Sequence, residues 1–135
     1  FTLEDLVVPS FLLAQAWCAW RLLRRNRIDV IHAHWLIPQG VAAALLQRLL
    51  RRKVPFVVTS HGSDVIVLKG AAMKFLKRAV VSSSSAITVV SDAVRNALVA
   101  DCGRQAKVIV QPMGVNLVDL FVPGKVHRDT QEILF

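Results

Sequence analysis

The sequence predicts an α/β domain in which a parallel sheet carries helices on both faces. Three observations predict it. Short apolar runs rich in β-branched residues alternate with amphipathic helical stretches. The runs are continuously apolar, as strands buried on both faces are, rather than alternating with polar residues. Each run is followed by a stretch long enough to cross back and start a parallel neighbour. With 135 residues, 54% of them hydrophobic, the chain has enough apolar surface for one domain with its own core.

The first helix is expected to open at Pro9, whose fixed φ suits a first turn, and to bury Leu12, Leu13, Ala16, Trp17, Trp20 and Leu23. Arg21 and Arg25 lie outside that stripe. Residues 28–33 form the first strand, and Pro38-Gln39-Gly40 opens a second helix reaching about Arg52. Val41, Leu45 and Leu49 are its expected inward face, with Arg48, Arg51 and Arg52 outward. Residues 55–60 are the second strand, stopped by His61-Gly62-Ser63-Asp64, and a third helix spans about 71–81. Residues 86–90 form the next strand, Ser91 caps a helix reaching about Ala100, and 107–110 is a further strand. Pro112 to Asn116 then breaks regular structure.

Residues 122–130, with Pro123, Gly124 and a run of polar and charged residues, have linker composition. The expected organisation is therefore a domain over 1–121, a linker over 122–130 and a new strand over 131–135. A chain that opens on Phe1 and ends while entering a strand is expected to be internal to a longer protein.

Seventeen Lys and Arg against nine Asp and Glu leave a formal charge of +8, which favours anionic partners. Nucleic acid is disfavoured, because the charge comes with no recognisable nucleic-acid module or aromatic-interleaved basic stretch. The basic faces Arg48/Arg51/Arg52 and Lys74/Lys77/Arg78 read first as solvated helix surfaces, and alternatively as contacts for an anionic membrane. Cys18 and Cys102 stand far apart within helical patterns, which supports no disulfide framework and fits a reducing cytoplasm. The most apolar early stretch contains Gln15 and ends at Arg21, short of the ~18 residues a span requires.

In open parallel sheets ligands bind beyond the carboxyl ends of the strands, so polar residues placed there are the functional candidates. His61 directly follows a strand, and Gly62 allows backbone to approach a ligand closely. Asp64 could accept from sugar hydroxyls, and Ser63 could cap the next segment or contact an acceptor. The competing reading is an ordinary strand-to-helix turn with a satisfied histidine. His32 and His34, two apart on a strand, point the same way and could bind zinc as in a metal hydrolase. No cysteine or clear carboxylate ligand accompanies them, and no metal or other cofactor is assigned. Trp35 reads as a packed lid. Gly114 and Asn116 either reach a ligand between domains or simply end the domain in a turn.

Taken in order, four segments resemble the N-terminal domain of family 4 glycosyltransferases of the GT-B type. They are Asp29-Val30-Ile31-His32-Ala33-His34-Trp35 with Pro38-Gln39-Gly40, Val58-Thr59-Ser60-His61-Gly62-Ser63-Asp64, Thr88-Val89-Val90-Ser91, and Pro112-Met113-Gly114-Val115-Asn116. The first two are most similar to bacterial exopolysaccharide or teichuronic-acid-type transferases. The resemblance implies an incomplete Rossmann-like acceptor-side domain facing a second domain across a cleft. It implies metal-independent hexose transfer from a nucleotide-diphosphate sugar to a saccharide or lipid-linked acceptor, at the cytoplasmic face of the membrane. His61 matches the histidine that supports catalysis in that family. Gly62, Ser63, Asp64 and His34 would border the acceptor, and Gly114 and Asn116 the interdomain cleft. The glycine-rich loop and the paired glutamates that hold the donor in the family have no counterpart in this sequence, so the chain alone is expected to be inactive.

Overall fold

The computed structural model describes residues 3–50, 54–103, 108–116 and 118–119. The linker and final strand expected over 122–135, together with Arg51, Arg52 and Lys107, lie outside the described residues. The elements in order are α1 (Leu3–Arg25), β1 (Ile31–His34), α2 (Val41–Leu49), β2 (Phe56–Ser60), α3 (Ser63–Ile66), α4 (Ala71–Ser83), β3 (Ala86–Val89), α5 (Asp92–Cys102) and β4 (Val108–Val110). The four strands form one parallel sheet in the order β1-β2-β3-β4. This is the Rossmann-like α/β class that the alternation predicts.

Alternate strand residues divide the sheet into two unlike faces. Ala33, Phe56, Val58, Ser60, Ile87 and Val89 are buried on one of them. Val65, Val80, Val94 and Leu98 join that core from α3, α4 and α5, with Ala43 and Ala44 from α2. Each large apolar side chain buried here stabilises the fold by about 1.5–3 kcal/mol. Helices α2 and α4 pack on each other, as do α4 and α5, so the three crossover helices form a single layer. These three helices share one face of the sheet, while α1 borders the cleft that His32 and His34 of the other face line. When strands follow one another in spatial order, right-handed crossovers place every connecting helix on the same side. The second face carries His32, His34, Thr59 and Thr88, none of them buried.

Two helix faces also differ from expectation. Pro9 lies inside α1, which starts upstream at Leu3, and Leu13 and Trp17 point outward, 72% and 56% exposed. On the surface Trp17 stacks on Trp20, and Arg24 covers the Trp20 ring. In α2 the buried face is Ala43, Ala44 and Leu46, whereas Leu45 and Leu49 are exposed. The cause is a kinked segment over Leu36–Gly40, with a cis Ile37-Pro38 bond, that delivers Gly40 against α4. A Cβ on Gly40 would lie 2.9 Å from Val80 Cγ1, so α2 is seated on its small residues.

Lys77 departs furthest from the solvated-face reading, because it is fully buried. Its ammonium donates to the Val65 and Leu68 carbonyls and to Asp101, each within 2.8 Å. That cluster fastens the segment after α3 to both α4 and α5. Both cysteines are free thiols.

Candidate functional site

The site is assembled at the carboxyl ends of β1 and β2. Strand register sets Ile31 opposite Phe56 and His34 opposite Thr59, so the two strands end side by side. The period of two places His32 and His34 on one face, their ring centroids 4.5 Å apart. His34 Nδ1 lies 3.0 Å from His61 Nε2, with the ring planes 15° apart. His32 Nε2 lies 2.8 Å from Thr59 Oγ1, which lies 2.7 Å from Thr88 Oγ1. A polar row thus crosses three strands. Among the described residues no group of three His, Cys, Asp or Glu is arranged to hold a metal ion.

Two turns shape the strand ends. Trp35 takes a positive φ of 77°, unusual for a bulky residue, while its amide donates to the Thr59 carbonyl at 2.7 Å. That contact extends the β1–β2 ladder by one residue and leaves the Trp35 ring 6.1 Å from His61 and 41% exposed. It stands beside the site as a partly open wall, not a packed lid. Gly62 supplies the second turn at φ 110°, a conformation a side chain would strain.

Asp64 lies beneath the site rather than in it, 1% exposed. Its Oδ2 accepts from the Leu36 amide at 2.6 Å, and its Oδ1 accepts from the Ser60 hydroxyl at 2.7 Å. The Gly62 amide also points inward, 3.3 Å from both Ser60 Oγ and Asp64 Oδ1. The Gly62 amide and both Asp64 oxygens are thus engaged within the two turns. A buried carboxylate in reach of three donors stays there, since an unmade bond costs more than a made one returns. Ser63 is exposed at the start of α3.

Gly114 and Asn116 are exposed after β4 and make no bond to the histidine row. Asn116 Oδ1 accepts from the amides of Val118 and Asp119, closing its own turn.

Between α1, β1 and α2 lies a cleft of about 360 Å³, lined by Gln15, Ala19, His32, His34, Trp35 and Gln39 among others. Gln39 Oε1 is buried there without a hydrogen-bond partner among the described residues. Buried acceptors are rarely left unpaired, and this atom is an exception among the described residues. Sequence reasoning missed it because Pro38-Gln39-Gly40 reads as a helix start, and the kink alone turns Gln39 into the cleft. Thr59 and Thr88 were likewise hidden inside apolar strand runs.

A parallel α/β sheet with polar side chains gathered at its carboxyl strand ends, beside a cleft, defines a ligand-binding domain of the Rossmann-like class. Residues 5–119 match the profile of Glycosyltransferase Family 4, and the chain belongs to that family. It is 31% identical over 116 residues to an uncharacterised glycosyltransferase of Methanocaldococcus jannaschii, covering 85% of this chain and 32% of that protein. It is 29% identical over 89 residues to the N-acetyl-α-D-glucosaminyl L-malate synthase of Bacillus anthracis, covering 65% of this chain and 23% of that protein. A Bacillus subtilis glycosyltransferase assigned by name to teichuronic acid biosynthesis is 39% identical over 93 residues, covering 66% of this chain and 22% of its own length. The chain thus spans a third or less of the relatives it matches.

Proposed function

We propose that the full-length protein carrying this chain transfers a hexose from a nucleotide-diphosphate sugar to a saccharide or lipid-linked acceptor. In this reading the described domain holds the acceptor, and no metal or other cofactor takes part. The observation that carries the reading is His61, which follows β2 directly and is hydrogen-bonded to His34, a residue lining the cleft between α1, β1 and α2. Sugar hydroxyls are donors as well as acceptors and match both groups. The relatives' names support sugar transfer, one naming an N-acetylglucosaminyl malate product and another teichuronic acid biosynthesis.

His61 is the proposed catalytic residue, with His34 and the exposed Ser63 beside it. Gly62 and Asp64 shape the turn that carries it. Gly114 and Asn116 are assigned to the border with the rest of the protein. We place the protein on an anionic membrane at its cytoplasmic face through the formal charge of +8, with Arg48 of α2 and Lys74 of α4 as candidate contacts and the buried Lys77 excluded. No helix among the described residues is long and apolar enough to cross a membrane.

The decisive test is His61→Ala in the full-length protein, followed by release of nucleoside diphosphate from a panel of nucleotide-diphosphate hexoses. Turnover is expected to fall about 10²–10⁴-fold, the usual contribution of a positioned proton-transfer group, with the fold retained. Retained turnover removes His61 from the mechanism.

A further inference from the structure

His34 belongs to two features at once. It lines the cleft between α1, β1 and α2, and its Nδ1 is hydrogen-bonded to His61 Nε2 at 3.0 Å. We propose that His34 is a positioning residue for His61, holding that imidazole through Nε2 so that Nδ1 is the ring nitrogen presented to the sugar substrate. The inference rests on the glycosyl-transfer reading and deepens it at the same site.

The argument begins with the imidazole itself. A neutral ring has one donor nitrogen and one acceptor, and a partner at one nitrogen fixes which ring nitrogen faces outward. Rotation about χ2 is broad and roughly two-fold for histidine, so a ring without a partner presents either edge. The contact with His34 removes that freedom at Nε2. Among the described residues His61 Nδ1 has no hydrogen-bond partner, which leaves it for a ligand.

His34 is itself well placed to hold a neighbour. It ends β1 in register with Thr59, and the next residue's amide continues the ladder to the Thr59 carbonyl. The His32 ring lies 4.5 Å away and is fastened to Thr59 Oγ1, which is fastened to Thr88. Two carboxylates on the elements around this row are engaged elsewhere. Asp64 of α3 is bonded to Leu36, Ser60 and Gly62, and Asp92 of α5 pairs with Arg95 at 2.9 Å. His34 thus occupies the place where other imidazoles are oriented by a third group, often a carboxylate.

The test uses the full-length enzyme. His34→Phe removes the nitrogen, His34→Asn keeps a hydrogen-bonding atom near the Nδ1 position, and His34→Gln places its amide near the Nε2 position instead. H34F is expected to lower kcat about 10–100-fold, as small misplacements of reacting groups do, with the nucleotide-sugar KM within about twofold. H34N is expected to recover to within about fivefold of wild type, and H34Q to be as slow as H34F. The double variant H34F/H61A is expected to be no slower than H61A, because a residue acting through His61 has nothing left to act on. In long-range ¹⁵N–¹H spectra the His61 Nε2 resonance is expected to carry a hydrogen-bond shift in wild type that is lost in H34F and H34Q. An H34N as slow as H34F, a double variant slowed by the full H34F factor, or unchanged His61 nitrogens would each overturn the inference. Should H34F not fold, H34Q carries the same comparisons. Failure of the underlying reading is separate: it would show as full turnover in H61A.

Discussion

The Asp64 carboxylate and the Leu36 amide meet at 2.6 Å, joining the turn after β2 to the turn after β1. Asp64→Ala would leave the Leu36 amide and the Ser60 hydroxyl without that acceptor in a buried place. Each buried orphan costs about 1–3 kcal/mol, so urea denaturation is expected to show a loss in that range or above. Asp64→Asn keeps one carbonyl oxygen and is expected to lose less. Equal losses in the two variants would remove the acceptor role from the account.

Asp101 anchors the other buried charge. Its hydrogen bond to the Lys77 ammonium holds the carboxyl below the usual aspartate range, against the opposing effect of burial, with Lys74 adding to the lowering. A carboxyl lowered in the folded state contributes stability that is present above the unfolded value of about 3.9 and lost as pH falls through the folded value. Thermal unfolding between pH 5 and pH 2 is therefore expected to show a steeper acid loss in wild type than in Asp101→Asn.

The same pair predicts unequal costs for its two halves. Asp101→Ala leaves a fully buried ammonium with only two carbonyls, and a loss of about 3–5 kcal/mol is expected. Lys77→Met leaves a carboxylate that still has Lys74 at 3.3 Å and is expected to cost less. Denaturant midpoints of the two variants decide the order.

Glycine substitutions should separate packing from backbone strain. Gly40→Ala drives a Cβ to 2.9 Å from Val80 Cγ1 and 3.3 Å from the Trp35 carbonyl, and overpacking of this kind costs about 1–3 kcal/mol. Gly62→Ala meets Val94 at 3.2 Å and must also hold φ at 110°, so it is expected to cost as much or more. Gly114→Ala has nothing within 4 Å and is expected to leave the melting temperature unchanged.

The two thiols should differ in reactivity. Cys18 is exposed on α1, whereas burial first, and the neighbouring Asp101 second, push the Cys102 thiol up. A disulfide reagent near pH 8 is expected to modify Cys18 quickly and Cys102 slowly, the two rates converging in denaturant. Equal native rates would contradict the burial of Cys102.

Much of the framework was legible in the sequence. Continuous apolar runs marked the four strands to within a few residues, and Ser91 accepts from the Val94 amide as an N-cap should. The α2 face was not legible, because Leu45 and Leu49 outweigh Ala43 and Ala44 in any periodic count. Which side is buried was decided by Gly40 meeting Val80, a contact between residues forty positions apart. At the site, period two gave the His32 and His34 pair and the strand end gave His61. Their bond to each other depends on parallel register, and the inward turn of Asp64 depends on a kink no local pattern announces.

Thr59 sits at the middle of the row from His32 to Thr88, and a hydroxyl has a single hydrogen to give. If it donates toward β1, its lone pairs receive from β3; if it donates toward β3, they receive from β1. The whole row therefore has one sense of proton polarity at a time, and reversing it at any member reverses it at all. Removing the relay with Thr59→Val would release His32 and Thr88 from that shared order together.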